Sequence, residues 1–159
     1  MPLEAWLRGP VDGVVPMLVP VAHMLQHAHE DGVEALRALT PDQIWTRPAG
    51  GASVGFHISH LIGALDRLFT YARGQALTAD QLHASTREDD SGDPPADAAA
   101  LTAALAAATA RAIDQLRATD PARCSNHVEW GGGMRRRRCW DCWCMEANIP
   151  RGTRDRRLR

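Results

Sequence analysis

Three segments of the chain carry apolar residues at helical spacing, and this repetition limits the fold more than any other feature. They cover residues 14–39, 53–73 and 98–118. Intervals of three and four residues place the apolar positions of each segment on one face of an α-helix. Hydrophobic residues make up 45% of the chain and aromatic residues only 5%, a balance that favours helix over strand. We expect an all-α, up-and-down helical bundle.

Each long segment has a predicted buried face. The faces consist of Met17, Val21, Met24, Leu25, Ala28, Leu36 and Leu39 in the first helix, Ile58, Leu61, Ala64, Leu65 and Leu68 in the second, and Leu101, Leu105, Ala108, Ile113 and Leu116 in the third. Pro16 and Pro20 fit only the lead-in or first turn of the first helix, because proline lacks a backbone donor.

Capping signals predict where helices begin and end. Thr40 and Thr78 each precede a glutamine by three residues, which is the capping-box pattern that opens a short helix. Ser53 is the predicted N-cap of the second long helix, and Gly74 its stop. Residues 85–97 are rich in Asp, Ser, Gly and Pro, a composition that predicts a mobile linker.

Charge and hydropathy narrow the function classes. The formal net charge of −1 argues against a generic nucleic-acid or membrane-surface binder. The sequence has no apolar run long enough to span a bilayer and lacks the basic-then-apolar layout of a secretory signal. We therefore expect a cytoplasmic protein without a membrane partner.

Residues 52–61, which read ASVGFHISHL, resemble the second-helix signature of the DinB-like metalloprotein superfamily. The likeness extends upstream over residues 39–45 and 47–48, and downstream over residues 66–68 and 70–74. The resemblance implies a four-helix bundle that binds a divalent metal, Zn or Ni, through three histidines. One of these stands at the position of His60, and two lie on the fourth helix in a motif like Glu-His-Thr-x-Arg-His-x-Gly-Gln.

The C-terminal part of the chain departs from this pattern, because no such motif follows residue 126. If the codons of residues 139–156 are read one base out of frame, they can encode the sequence Leu-Gly-Leu-Leu-Val-His-Gly-Gly-Glu-His-Thr-x-Arg-His-x-Gly-Gln. The genetic code forces the apolar run and restricts two positions to His or Tyr. We hypothesise a frame change near Gly131-Gly132-Gly133, either a sequence error or a genuine mutation. Residues 1–126 are then the bundle, and residues 127–159 an irregular basic tail that replaces the fourth helix.

Other histidines and the cysteines have competing interpretations. His57 lies one turn before His60 and is expected to be a core or rim residue, and the spacing of His23 and His27 permits a pair on one face. In the tail, Cys139 and Cys142 form a Cys-x-x-Cys half-site for zinc, which two further residues could nominally complete, Cys124 and His127. We favour an out-of-frame origin for these cysteines and for the arginine run 135–138.

The resemblance implies a metal-dependent hydrolase or thiol S-transferase in the intact form, with His60 as the one inherited ligand. The catalytic residues and the substrate are not identified by the sequence. Because the fourth helix is missing, we expect metal binding in this chain to be weak or absent. The absence of that helix also leaves the groove of the bundle open to a second copy of the chain, so a homodimer is expected as a partner. The alternative is a non-enzymatic, stress-related helical or dimerisation module with a vestigial metal site.

Overall fold

A computed structural model describes residues 3–120 of the chain. Its α-helices are α1 (Val19–Arg37), α2 (Pro41–Trp45), α3 (Val54–Ala72), α4 (Ala79–Ser85) and α5 (Ala98–Arg117). Short 3₁₀ turns occur at Ala5–Leu7, Pro16–Leu18 and Pro48–Gly50. The described residues contain no strand, so the all-α prediction is confirmed. The predicted replacement of the fourth helix and the tail 127–159 lie outside the described residues.

The helix boundaries follow from the local capping signals. Thr40 and Thr78 each form a complete capping box at the start of α2 and α4. The Ser53 hydroxyl accepts a hydrogen bond from the Phe56 backbone N–H at 3.1 Å and caps α3. Gly74 follows the end of α3 with φ of +75°, a conformation that glycine adopts without steric cost.

The core forms where α5 packs against both α1 and α3. One cluster of buried residues consists of Val14, Ala22, Leu25, Leu65, Phe69, Ala108, Ala112 and Leu116. The other consists of Leu36, Ile44, Ile58, Leu101 and Leu105. Gly32 permits the close approach of α1, because a Cβ there would lie 2.7 Å from Leu105 Cδ2 and 3.2 Å from Ile58 Cδ1.

The predicted buried faces are wrong at three positions. Met17, Met24 and Leu68 are 55%, 61% and 40% exposed, whereas Phe69 is buried. The reason lies in the packing, since α1 and α3 each contact α5 extensively but contact each other little. Each helix therefore keeps one apolar flank that no described element covers.

The segment between α4 and α5 is tied to the bundle, although its composition predicts a mobile linker. Trp45 Nε1 donates a hydrogen bond to the Ala96 carbonyl oxygen at 2.9 Å, which fixes the end of the segment against α2. Glu88, near its start, is held by side chains of α3. No helix among residues 3–120 meets the length and hydropathy that crossing a membrane requires.

Candidate metal-binding site at His60

His60 lies on α3 with its side chain 52% exposed. Its Nδ1 atom is 2.7 Å from Oε2 of Glu88, a residue 28 positions further along the chain. The imidazole is thus reached from solvent on one side and held by a carboxylate on the other.

The Glu88 carboxylate is far less accessible than the imidazole it holds, with a side chain only 10% exposed. Its second oxygen, Oε1, accepts a hydrogen bond from Arg67 Nη1 at 2.5 Å. Burial by itself raises the pKa of Glu88, but the hydrogen bonds and charges of His60 and Arg67 outweigh it and hold the pKa below its ordinary value. Glu88 is therefore an ionised bridge between the two α3 side chains at neutral pH.

Gly63 makes room for this bridge in the middle of α3. A Cβ at this position would lie 2.7 Å from Arg67 Nη1 and still closer to Glu88 Oε1. Glycine in a helix interior costs about 1 kcal/mol relative to alanine. The packing of the ion pair over the helix backbone explains why α3 carries a glycine here.

Phe56 restricts the imidazole from the preceding turn of α3. Its ring is stacked on that of His60, with 5.6 Å between centroids and 14° between planes. The same phenyl ring contacts His57 edge-on at 5.4 Å. His57 is exposed and does not share the Glu88 contact, so the two neighbouring histidines have different surroundings.

The described residues fit one ligand position of a metal site. Among residues 3–120 no three His, Cys, Asp or Glu side chains come close enough together to hold an ion. With Nδ1 engaged by Glu88, Nε2 is the atom of His60 that remains for a metal. Further ligands would have to come from residues beyond 120, from a second molecule or from solvent.

Two open clefts in the described part of the chain are lined by residues other than His60. The larger, of about 560 Å³, is lined by Asp66, Thr70, Arg73, Gln75, Ala76, Thr78 and Gln81. The smaller, of about 290 Å³, lies between α1 and α5 and is lined by Arg8, Gln26, His29, Glu30, Ala106, Thr109, Ala110 and Ile113. His60 instead stands at the open flank of α3.

A family model described as the DinB superfamily matches residues 21–142, which is more than half of the chain. The chain belongs to the DinB superfamily. The comparisons with curated proteins and with solved structures gave no match. Membership agrees with the resemblance seen in the signature residues around His60, and it adds no residue roles of its own.

His23 and His27, on the described helix α1, have separate partners and do not form a metal pair. Nε2 of His23, which is buried, lies 2.8 Å from the Gly9 carbonyl oxygen. His27 lies 3.4 Å from Asp31 and contacts the ring of Trp6 edge-on. Although their spacing would allow His23 and His27 to lie on one face of α1, the two side chains bind different partners and do not form a common site. The cysteine half-site and its nominal partners, at residues 124, 127, 139 and 142, lie outside the described residues.

Sequence reasoning missed the residues that surround His60. Glu88 falls in a segment whose composition indicates a linker, and Arg67 is expected on a polar flank. Gly63 was the available signal, because a glycine inside a strongly apolar helix often marks a close approach of another group. The position of that group along the chain could not be read from helical periodicity.

Proposed function

We propose that this DinB-superfamily chain is a divalent-metal-binding protein in which His60 is a ligand through Nε2, with Zn²⁺ or Ni²⁺ as the ion. The observation that carries the proposal is the state of His60. Its imidazole is solvent-accessible and fixed at Nδ1, and no residue among 3–120 is hydrogen-bonded to its Nε2 atom. Imidazole nitrogen is a preferred ligand of both metals.

The proposed chemistry of the intact form is hydrolysis or thiol S-transfer. A bound Zn²⁺ with an open position lowers the pKa of a bound water or thiol and makes it a nucleophile at neutral pH. This chain contributes one fixed imidazole from α3. Since a single imidazole does not retain an ion at a catalytic site, we propose that metal binding and activity are impaired in the chain as it stands.

Metal titration of the full chain tests the proposal. Calorimetry with Zn²⁺ or Ni²⁺ should show weak binding that His60→Ala abolishes. His57→Ala is the matched control, because His57 is an exposed histidine on the same helix and shares the contact with Phe56. Binding that persists in His60→Ala but disappears when Cys139 and Cys142 are replaced would refute the assignment in favour of a site in the tail. Absence of binding both by the unmodified chain and by a chain whose gene is shifted by one base at the codons of residues 131–133 would refute it outright.

A second candidate function is a non-enzymatic bundle that forms a homodimer, and the exposed apolar flanks favour it. Met17 and Met24 on the α1 side and Leu68 on α3 are all at least 40% exposed. Burial of such side chains is worth roughly 1.5–3 kcal/mol each. Light scattering should then give the mass of a dimer, and Met24→Glu should shift it to a monomer. A monomeric mass for the unmodified chain at every accessible concentration would exclude this candidate.

The cytoplasmic location stays a prediction from the sequence.

A further inference from the structure

We propose that Glu88 is the positioning residue of His60, holding the ring proton on Nδ1 so that the Nε2 lone pair is presented for binding. This inference rests on the proposed metal-binding role of His60 and extends it to a residue outside the signature segment. It assigns Glu88 an orienting role, not that of a ligand.

The hydrogen-bond pattern determines which nitrogen of His60 carries the proton. Glu88 Oε1 accepts from the Arg67 guanidinium at 2.5 Å, and Oε2 lies 2.7 Å from His60 Nδ1. An ionised carboxylate can only accept hydrogen bonds, so Nδ1 must be the donor. In the neutral imidazole the other nitrogen, Nε2, then has no proton and can act as a ligand.

The carboxylate and the guanidinium lie largely out of solvent, whereas the imidazole stands at the surface. The side chains of Glu88 and Arg67 are 10% and 18% exposed, whereas that of His60 is 52% exposed. Gly63 leaves the space that the carboxylate occupies, since a Cβ there would collide with it. A charge pair set into such a notch is screened by water less than a surface pair and keeps a defined geometry.

The arrangement matches the chemistry that metal-binding histidines need. A ligating imidazole commonly donates its second N–H to a carboxylate, which fixes the tautomer and the ring orientation. Loss of such a partner typically weakens metal affinity by about 10–100-fold. Phe56 stacks on the same ring, so both the plane and the proton of His60 are set before any ion arrives.

The tautomer can be measured in the metal-free full chain. Long-range ¹H–¹⁵N spectra with ¹⁵N-labelled histidine, recorded at pH values where the imidazole is neutral, should show His60 protonated at Nδ1. The signal is assigned by its absence in His60→Gln. Glu88→Ala should convert His60 to a tautomer mixture or to the Nε2–H form, and the near-isosteric Glu88→Gln should weaken the preference while retaining the fold. A His60 tautomer that is the same with and without Glu88 would overturn the proposal.

Metal affinity provides the second readout. Relative to the unmodified chain, Glu88→Gln should weaken Zn²⁺ binding by about tenfold and Glu88→Ala by up to about 100-fold. Glu30→Gln is the control, because Glu30 also pairs with an arginine but lies on α1 and does not contact His60. Zn²⁺ binding through His60 that is indifferent to Glu88 overturns the inference and leaves the proposed function standing. A Glu88-dependent tautomer without any metal binding, in this chain and in the frame-shifted one, refutes the proposed function and leaves the orienting role of Glu88 intact.

Discussion

Replacing Gly63 by alanine should have opposite effects on stability depending on whether Glu88 is present. In an ordinary helix interior, Gly→Ala stabilises by about 1 kcal/mol, because it removes the backbone freedom of glycine from the unfolded state. In α3 the new Cβ would meet Glu88 Oε1 and Arg67 Nη1 at less than normal contact distance. Both atoms end flexible side chains, so they move away and the helix itself is not strained.

The magnitude follows from what the displaced side chains lose. Glu88 makes two charge-assisted hydrogen bonds, to Arg67 and His60, and each such bond contributes about 1.5–3 kcal/mol when well formed. His60 is half exposed, so water replaces part of its bond. Displacing Glu88 should cost about 2 kcal/mol of hydrogen-bond free energy, whereas the higher helix propensity of alanine contributes about 1 kcal/mol. Gly63→Ala should therefore lower the free energy of unfolding by about 1 kcal/mol.

The assay is a double-mutant cycle by urea denaturation of the full chain. Gly63→Ala should lower the free energy of unfolding in the unmodified chain and raise it by about 1 kcal/mol in the Glu88→Ala background, where the notch no longer holds a carboxylate. The decisive result is that the change in the free energy of unfolding caused by Gly63→Ala has opposite signs in the two backgrounds. If Gly63→Ala stabilises both backgrounds equally, Glu88 does not occupy the notch, and the reasoning about the His60 contact fails.

Further predictions concern the core, a helix cap and pH. Leu105→Ala should lower the free energy of unfolding by about 2–5 kcal/mol in urea titrations, since Leu105 is fully buried between the long helices. Ser53→Ala should cost about 1 kcal/mol by the same assay, because it removes the N-cap of α3. The hydrogen bonds from Arg8 hold the pKa of Glu30 below its ordinary value of 4.5, so its contribution to stability is complete above that pH and is lost as the pH falls through the folded-state pKa. Three charged or titratable groups bear on Glu30, namely Arg8, His27 and His29. Unfolding measured between about pH 6 and pH 3 should thus be less pH-dependent in Glu30→Gln, and unchanged curves would contradict this.

The sequence was sufficient for features that depend on neighbours within one turn of helix. The capping boxes at Thr40 and Thr78 and the cap at Ser53 are formed by residues three positions apart, so the signal and the contact coincide. The position of His60 on α3 was likewise predicted, because the signature lies wholly inside that helix.

Periodicity failed where the outcome depends on which helices are adjacent. The apolar spacing that includes Met24 identifies a helix face, but it does not say whether another element covers that face. Glu88 is a similar case, since 28 residues separate it from His60 and its surrounding composition resembles that of a solvated turn. Contacts of this kind are set by how α4 and the following segment fold back on α3, which local sequence does not encode.

The position of Glu88 bears on the hypothesis of a frame change in the tail. His60, Gly63, Arg67 and Glu88 all precede residue 126, so the half of the site that orients His60 is encoded upstream of the proposed frame change. A gene shifted by one base at the codons of residues 131–133 should therefore supply the two missing histidines to a ligand that is already oriented. Such a chain is expected to bind Zn²⁺ or Ni²⁺ stoichiometrically, and both His60→Ala and Glu88→Ala should weaken the binding. Stoichiometric binding that is unchanged in His60→Ala would show that the ligands lie entirely in the new tail. Codons that cannot encode the histidine motif would refute the hypothesis of a frame change.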